Sequence, residues 1–270
     1  MGLGADLVRP LSWVVDGQGL YYDATRPSAL ETLLQTTAFD DALRARARAL
    51  RQRLVAGGVS KYNVGRGGWT PPPDGRPVVL VPGQVETDAS IALGAPGLRG
   101  NLALLAAVRA ARPDAHLVYK PHPDVMARLR EGGGSPQAFA RLCDEVVGEV
   151  PITALLPQVD EVHVLTSLAG FEALLRGRRV VAWGLPFYAG WGLTEDRLSL
   201  PRRQRRLTLD ELVAGVLLLY PTYVSGRSGG FTTAEGALDE LLAWRQAGAT
   251  GAPWRTRLLR PLLRLWSGKR

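Results

Sequence analysis

The sequence predicts an α/β chain built on a doubly wound parallel sheet, and three observations predict it. From Pro77 onward, short runs of Val, Leu and Ile alternate with helix-patterned segments at the spacing of βαβ units. Each run is followed by a loop of polar residues and glycines, the residues that an open parallel sheet presents at its carboxyl edge. With 270 residues of which 46% are hydrophobic, the chain buries the core of one large domain or two small ones.

The elements follow in order. Leu11 to Tyr22 reads as a β-hairpin turning at Gly17-Gln18-Gly19. Ser28 and Glu31 have the spacing of a capping box and open a helix; Asp40 to Leu54 has the period of a second helix with an arginine face. Gly57 to Asn63 and Gly65 to Pro77 have the Gly and Pro content of a connector. Val78 to Val81 is a buried strand, Asn101 to Arg112 an amphipathic helix, and Ala115 to Lys120 a second strand. Ser135 to Val147 reads as a helix, Thr153 to Gln158 as a short one, and Glu161 to Leu165 as a third strand. Leu168 to Arg176 is a helix and Arg179 to Trp183 a fourth strand; Leu209 to Tyr220 and Ala234 to Ala247 are closing helices. The expected domains are an N-terminal lobe over residues 1–76, a Rossmann-like domain over 77–225, and C-terminal helices with a basic tail over 226–270.

Composition excludes several classes. No apolar run approaches the roughly 20 residues that span a bilayer. A single cysteine, Cys143, forms no internal disulfide, and three histidines do not suggest a Cys/His metal cage. A reducing compartment follows, and the start Met-Gly-Leu-Gly-Ala-Asp lacks the pattern of a secretory signal, so a cytoplasmic location is expected. The net charge is +8, with basic runs at Arg44 to Arg53, Arg202 to Arg206 and Arg255 to Arg270. Such runs suit nucleic acid, anionic lipid or a phosphorylated ligand, or are simply solvated. No nucleic-acid-binding signature accompanies them, and nucleic acid is not an expected partner.

Four loops at the expected carboxyl edge carry the chemistry. Gln84 to Ser90 holds Gln84, Glu86 and Asp88, acids that are either solvated or catalytic. Lys120-Pro121-His122-Pro123 fixes an imidazole between two prolines beside a cation, either as a phosphate site or as a stiffened turn with a capping His. Thr166 and Ser167 precede Gly170 and Glu172 at a helix start, where hydroxyls either cap the helix or bind an anion with it. Gly184 to Asp196 interleaves glycines with Phe187, Tyr188 and Trp191, a platform for a sugar or base, or a self-packed Ω-loop. Walker, dinucleotide, nucleophile-elbow and zincin patterns are absent from the sequence.

These motifs, with Arg9 to Asp16, Tyr21-Tyr22-Asp23 and Ser60-Lys61-Tyr62-Asn63, resemble the capsular polysaccharide synthesis family, which includes KpsC-like β-Kdo transferases. The resemblance covers about residues 2 to 225. It implies a GT-B-like fold with a smaller N-terminal α/β lobe, and transfer of Kdo with retention from CMP-β-Kdo to a glycolipid or Kdo-oligosaccharide acceptor. No cofactor beyond that donor is implied. Carried over by motif, Asp88 is the carboxylate that attacks or stabilises the anomeric carbon, and Gln84 is its motif partner. His122 and Lys120, with Pro123, are placed at the departing CMP phosphate. Thr166 and Ser167 face the same phosphate, and Glu172 is placed at ribose or base.

Relatives in the family commonly carry an acidic segment before the Gly-Leu-Gly, and often two modules, so a single and N-terminally incomplete module is expected here. The tail from Trp254 alternates Arg with Leu and Trp, as a segment lying on an anionic inner-membrane face does, or a loosely packed terminal helix. The alternative function is a non-catalytic sugar-nucleotide or glycan-binding module in capsule assembly or export.

Overall fold

The computed structural model describes residues 10–61, 65–126 and 134–246. The expected readings at Met1 to Arg9, at Tyr62 and Asn63, and in the tail from Trp254 lie outside the described residues. Two compact units part at residues 15/16 and 213/214.

The larger unit, residues 16–213, holds a parallel sheet of six strands. These are β1 (Val78–Pro82), β2 (His116–Lys120), β3 (Glu145–Val146), β4 (Glu161–Val164), β5 (Arg179–Ala182) and β6 (Glu195–Asp196). Their spatial order is β3-β2-β1-β4-β5-β6, with all neighbours parallel. This is the Rossmann order, so the direction of winding reverses between β1 and β4 and opens a crevice at their carboxyl ends. The fold is thus the expected doubly wound α/β class.

Burial explains why the strands read as they do. Every residue of β1, β2 and β4 is buried; β1, covered on both faces, is a continuous apolar run, whereas the buried Glu161 of β4 is held by Arg112, Arg179 and His163. Helix α1 (Ala29–Thr36) and helix α2 (Asp41–Ala56) precede the sheet, and no strand occurs among the described residues from 16 to 76. Helices α3 (Ala89–Gly94) and α4 (Asn101–Ala111) connect β1 to β2. Leu104, Leu105 and Val108 of α4 join Val79, Val81, Leu117 and Tyr119 in one core cluster. Helix α5 (Leu168–Leu175) connects β4 to β5 and is buried from Ala169 to Leu175. A short helix, α6 (Leu209–Val213), ends the unit, and its Asp210 accepts from Arg48 (2.8 Å) and Arg51 (3.3 Å) of α2.

Two expectations within this unit are corrected. The helix expected over Ser135 to Val147 stops at Ala140, and the chain becomes β3. The edge of β2 needs backbone partners, and Asp144 and Val147 supply them through N–H bonds to Leu117 and Tyr119 carbonyls at 2.9 and 2.8 Å. The hairpin expected over Leu11 to Tyr22 does not form. Instead the Asp16 carboxylate accepts the amides of Gln18, Gly19 and Ala29, which bends the chain into a side-chain-stabilised turn. At α1, Ser28 caps the Glu31 amide as expected, but Glu31 turns its carboxylate to Arg202 and Arg203, so the reciprocal half of the box is replaced by ion pairs.

The smaller unit is built from residues 10–15 and 214–246 among those described. Strand residues Ser12–Trp13 pair antiparallel with Thr222–Val224, which pairs with Phe231–Thr232. Ala214–Leu219 is a π-helical segment, and helix α7 (Ala234–Gln246) follows the sheet. Among the described residues no helix is long and apolar enough to cross a membrane.

Candidate functional site

A cavity of about 310 Å³ opens at the carboxyl edge of the parallel sheet, within the size range of small-molecule sites. Gln84, Asp88, Lys120, His122, Pro123, Thr166, Ser167 and Glu172 all line it. Loops as far apart in the chain as those of Gln84 and Glu172 therefore meet at one place, and the imidazole of His122 and the carboxylate of Asp88 line the same space.

The loop after β1 is held by its own polar groups. Asn101, the first residue of α4, accepts from the Gln84 amide (2.8 Å) and donates to the Gln84 carbonyl (2.9 Å). Glu86 accepts from the Asn101 backbone and side chain, so it caps the start of α4 and is not part of the cavity wall. Of the two acids in this loop only Asp88 reaches the cavity. It is exposed there and caps α3, accepting from Ser90 N at 3.4 Å. Asn101 was not anticipated, although a buried polar residue at the head of an apolar helix was the available signal.

Gln84 is a brace between loops. Its Oε1 accepts from Thr166 N and its Nε2 donates to Thr166 Oγ1, both at 3.0 Å. Thr166 Oγ1 donates onward to Ser90 Oγ at 3.3 Å. Ser167 caps α5 by accepting from Ala169 N at 3.2 Å. Both hydroxyls therefore have protein partners, and what they present to the cavity is an ordered helix start.

The Lys-Pro-His-Pro loop divides its labour. Lys120 is 6% exposed and its ammonium donates to Gly148 O (3.1 Å) and Val150 O (2.6 Å). Burial lowers its proton affinity below that of an ordinary lysine. It anchors the 148–150 segment beside Ile152 of the cavity wall. His122 accepts from the Asp124 amide at Nδ1, 3.1 Å, so the neutral ring carries its proton on Nε2. Pro123 begins the short helix Pro123–Met126.

Glu172 of α5 is 7% exposed, and one carboxylate oxygen accepts from the Lys61 amide at 2.8 Å. Burial pushes this carboxyl above the ordinary range, an effect opposed by the Lys61 amide and by the Arg176 and Lys61 charges. Gly170, two residues before, is required by packing, since a Cβ there would lie 2.2 Å from the Tyr188 hydroxyl.

The aromatic loop is only partly a ligand surface. Phe187 lines the cavity with Pro186, whereas Tyr188 and Trp191 are fully buried. Trp191 Nε1 donates to Phe187 O at 2.8 Å, and Tyr188 OH donates to Ser167 O. The self-packed loop holds for these two rings, because a buried ring with its polar atom satisfied is a packing element. Of the arginine run, expected either to meet a ligand or to be solvated, Arg202, Arg203 and Arg205 do neither and turn to internal partners. Arg203 donates to Pro186 O (2.6 Å), Ala189 O (2.8 Å) and Glu31; Arg202 pairs with Glu31 and Ala24 O; Arg205 donates to Thr37 O at 2.6 Å. Carbonyls left over by irregular backbone recruit these guanidinium groups as internal donors.

Tyr21, Tyr22 and Lys61 also line the cavity. They belong to motifs that resemblance singled out but to which no role attached. Among the described residues, no group of three His, Cys, Asp or Glu gathers as a metal site.

The family model described as "Capsule polysaccharide biosynthesis protein" matches residues 72–227. The chain is 48% identical over 242 residues to the capsule polysaccharide modification protein LipA of Neisseria meningitidis serogroup A, a match that covers 90% of this chain and 34% of LipA. It is 43% identical over 247 residues to the lipopolysaccharide-processing protein LpsZ of Rhizobium meliloti, covering 89% of this chain and 56% of LpsZ. The chain thus spans about a third to just over half the length of these relatives. Among solved structures, the β-Kdo 2,7 transferase of Thermosulfurimonas dismutans KpsC is similar with a TM-score of 0.77 and 44% identity, over 87% of this chain and 74% of that one. The β-Kdo 2,4 transferase of the same KpsC is similar with a TM-score of 0.75 and 34% identity, over 86% and 73%. A match over more than half the chain, carrying all four cavity loops, leads to one conclusion: the chain belongs to the capsule polysaccharide biosynthesis protein family.

Proposed function

We propose that this chain is a glycosyltransferase that moves Kdo, with retention, from CMP-β-Kdo onto a glycolipid or oligo-Kdo acceptor in building a capsular polysaccharide linker. The observation that carries this reading is the meeting of Asp88, His122 and the start of α5 on one cavity at the crevice between β1 and β4. The similarity to chains described as β-Kdo transferases supports the sugar.

In this reading the Asp88 carboxylate attacks the anomeric carbon while the bond from that carbon to the phosphate oxygen of CMP breaks, and CMP leaves with the electron pair. The Nε2–H of His122 and the N-terminal dipole of α5 face the charge that grows on the phosphate. The acceptor hydroxyl then attacks the same carbon, its proton passing to solvent, and Asp88 is released. Two inversions give retention. Gln84 holds the two loops in register, and Lys120 holds the wall at Gly148 and Val150. Glu172 accepts from the ribose hydroxyls. The reading needs no resident cofactor and no nucleic acid; it places the chain in the cytoplasm, with the basic tail against the inner membrane.

A thermal-shift series with CMP, UDP and GDP tests the donor class, because a ligand that binds only the folded state raises its melting temperature. Stabilisation by CMP alone is expected. Stabilisation by UDP or GDP in its place overturns the donor assignment, and CMP binding without transfer to any Kdo-bearing acceptor leaves a binding module for capsule assembly.

A further inference from the structure

Resting on the transferase reading, we infer that Lys61 holds the carboxylate of the transferred sugar, and so selects a 2-ulosonic acid over a neutral sugar as the group moved. Such a donor carries two anions, the phosphate of the nucleotide and a carboxylate attached directly to the anomeric carbon. The cation for the second must therefore stand beside the group that attacks that carbon.

Among the described residues three basic side chains line the cavity: Lys61, Lys120 and His122. The Lys120 ammonium is buried against the carbonyls of Gly148 and Val150. His122 lies on the Lys-Pro-His-Pro loop with its Nδ1 fixed by Asp124. Lys61 is exposed at the cavity wall, and its backbone is pinned there by the bond from its amide to Glu172. The Tyr21 ring lies edge-on to Phe187 at 5.5 Å between centroids, and both line the cavity. Its phenol feels both the Lys61 cation and the Asp88 carboxylate, which pull its proton affinity in opposite directions against a larger rise from burial. Cation and attacking carboxylate thus line the same cavity, the one that would hold a carbon bearing both a leaving phosphate and a carboxylate. Tyr21, Tyr22 and Phe187 add aromatic faces to the cavity lining, suited to a sugar ring.

The test compares the parent with Lys61→Met, which keeps the aliphatic stem, and Lys61→Arg. Titration calorimetry gives the Kd for CMP, and steady-state transfer gives the KM for CMP-β-Kdo. The expected result is a CMP Kd within about twofold of the parent for both variants, a KM raised about tenfold or more in Lys61→Met, and substantial recovery in Lys61→Arg. Equal weakening of CMP and donor, or no change in either, overturns the inference. Stabilisation of the CMP-bound protein by free Kdo supplies a readout that does not require turnover. If the parent binds CMP and Kdo but transfers nothing, the transferase reading fails while Lys61 is still decided, by loss of the Kdo effect in Lys61→Met or its persistence.

Discussion

Gln84 and Thr166 are joined twice, side-chain oxygen to backbone amide and side-chain amide to hydroxyl, each at 3.0 Å. The two residues follow β1 and β4, the neighbouring strands between which the winding of the sheet reverses. The crevice of an open α/β sheet exists because its connections diverge at that point, and divergence alone leaves the two loops free to move apart. One primary amide, with a donor and an acceptor in fixed geometry, ties them together.

Gln84→Ala is expected to lose about 1 to 3 kcal/mol of stability, the cost of leaving buried polar groups without partners. Gln84→Glu keeps an acceptor for the Thr166 amide but no donor for its hydroxyl, and is expected to fall between. Urea denaturation measures the loss. CMP affinity should fall with stability in both, since Gln84 acts through Thr166 and the start of α5.

Asp88→Asn separates chemistry from structure. Asn is about as good an N-cap as Asp, so α3 and the melting temperature should be preserved. Transfer is expected to drop by on the order of 10³ or more, as removal of a reacting group does, while CMP binding is retained. Calorimetry with CMP beside a transfer assay would decide it; near-parental turnover removes Asp88 from the reacting position.

Glu172 makes a pH prediction with a definite sign. Burial raises its folded-state pKa above the unfolded value, so the native state favours the protonated form. Its contribution is fully present below the unfolded pKa and is lost as pH rises through the folded one. Glu172→Gln keeps an oxygen for the Lys61 amide and removes the titration. Relative to the parent, the variant is expected to gain melting temperature as pH rises from acid to neutral, and to bind CMP more weakly if the carboxylate holds ribose. A parallel pH profile for parent and variant would refute the linkage.

The arginine run makes a contrast between neighbours. Arg203 is buried with Glu31, two carbonyls and the Trp191 ring, whose centroid lies 5.7 Å away. Arg203→Met is expected to cost about 3 to 5 kcal/mol, as loss of one partner from a buried ion pair does. Arg206→Ala, on an exposed side chain, is expected to change stability by no more than about 0.5 kcal/mol. Equal effects on chemical denaturation would show that the run is not internal.

Much of this was legible in the sequence because it is local. Val78 to Val81, Ala115 to Lys120, Glu161 to Leu165 and Arg179 to Trp183 announce buried parallel strands by short segments rich in Val and Leu recurring at the interval of βαβ units, and the residues after each strand must lie at one edge. That alone put the eight expected side chains within reach of one cavity. β3 was not legible, since a two-residue strand at an edge is defined by its partner and not by its own pattern. The strand at Ser12–Trp13 falls inside the expected hairpin, but its partner was not legible, being Thr222 and Tyr223 far along the chain.

The sequence by itself determined the class of fold, the edge at which a ligand meets it and the residue types present there. Only the tertiary structure decided which polar groups were already taken: Lys120 by carbonyls, Glu86 by a helix start, Arg203 by a loop, Gln84 by Thr166. It also brought Tyr21 and Lys61 from the segment before the sheet to the cavity of Asp88. Periodicity reports which face of an element is buried, a property of neighbours along the chain. Hydrogen-bond and charge partners are set by approach in space, and a side chain's chemistry is free for a ligand only after those partners have been counted.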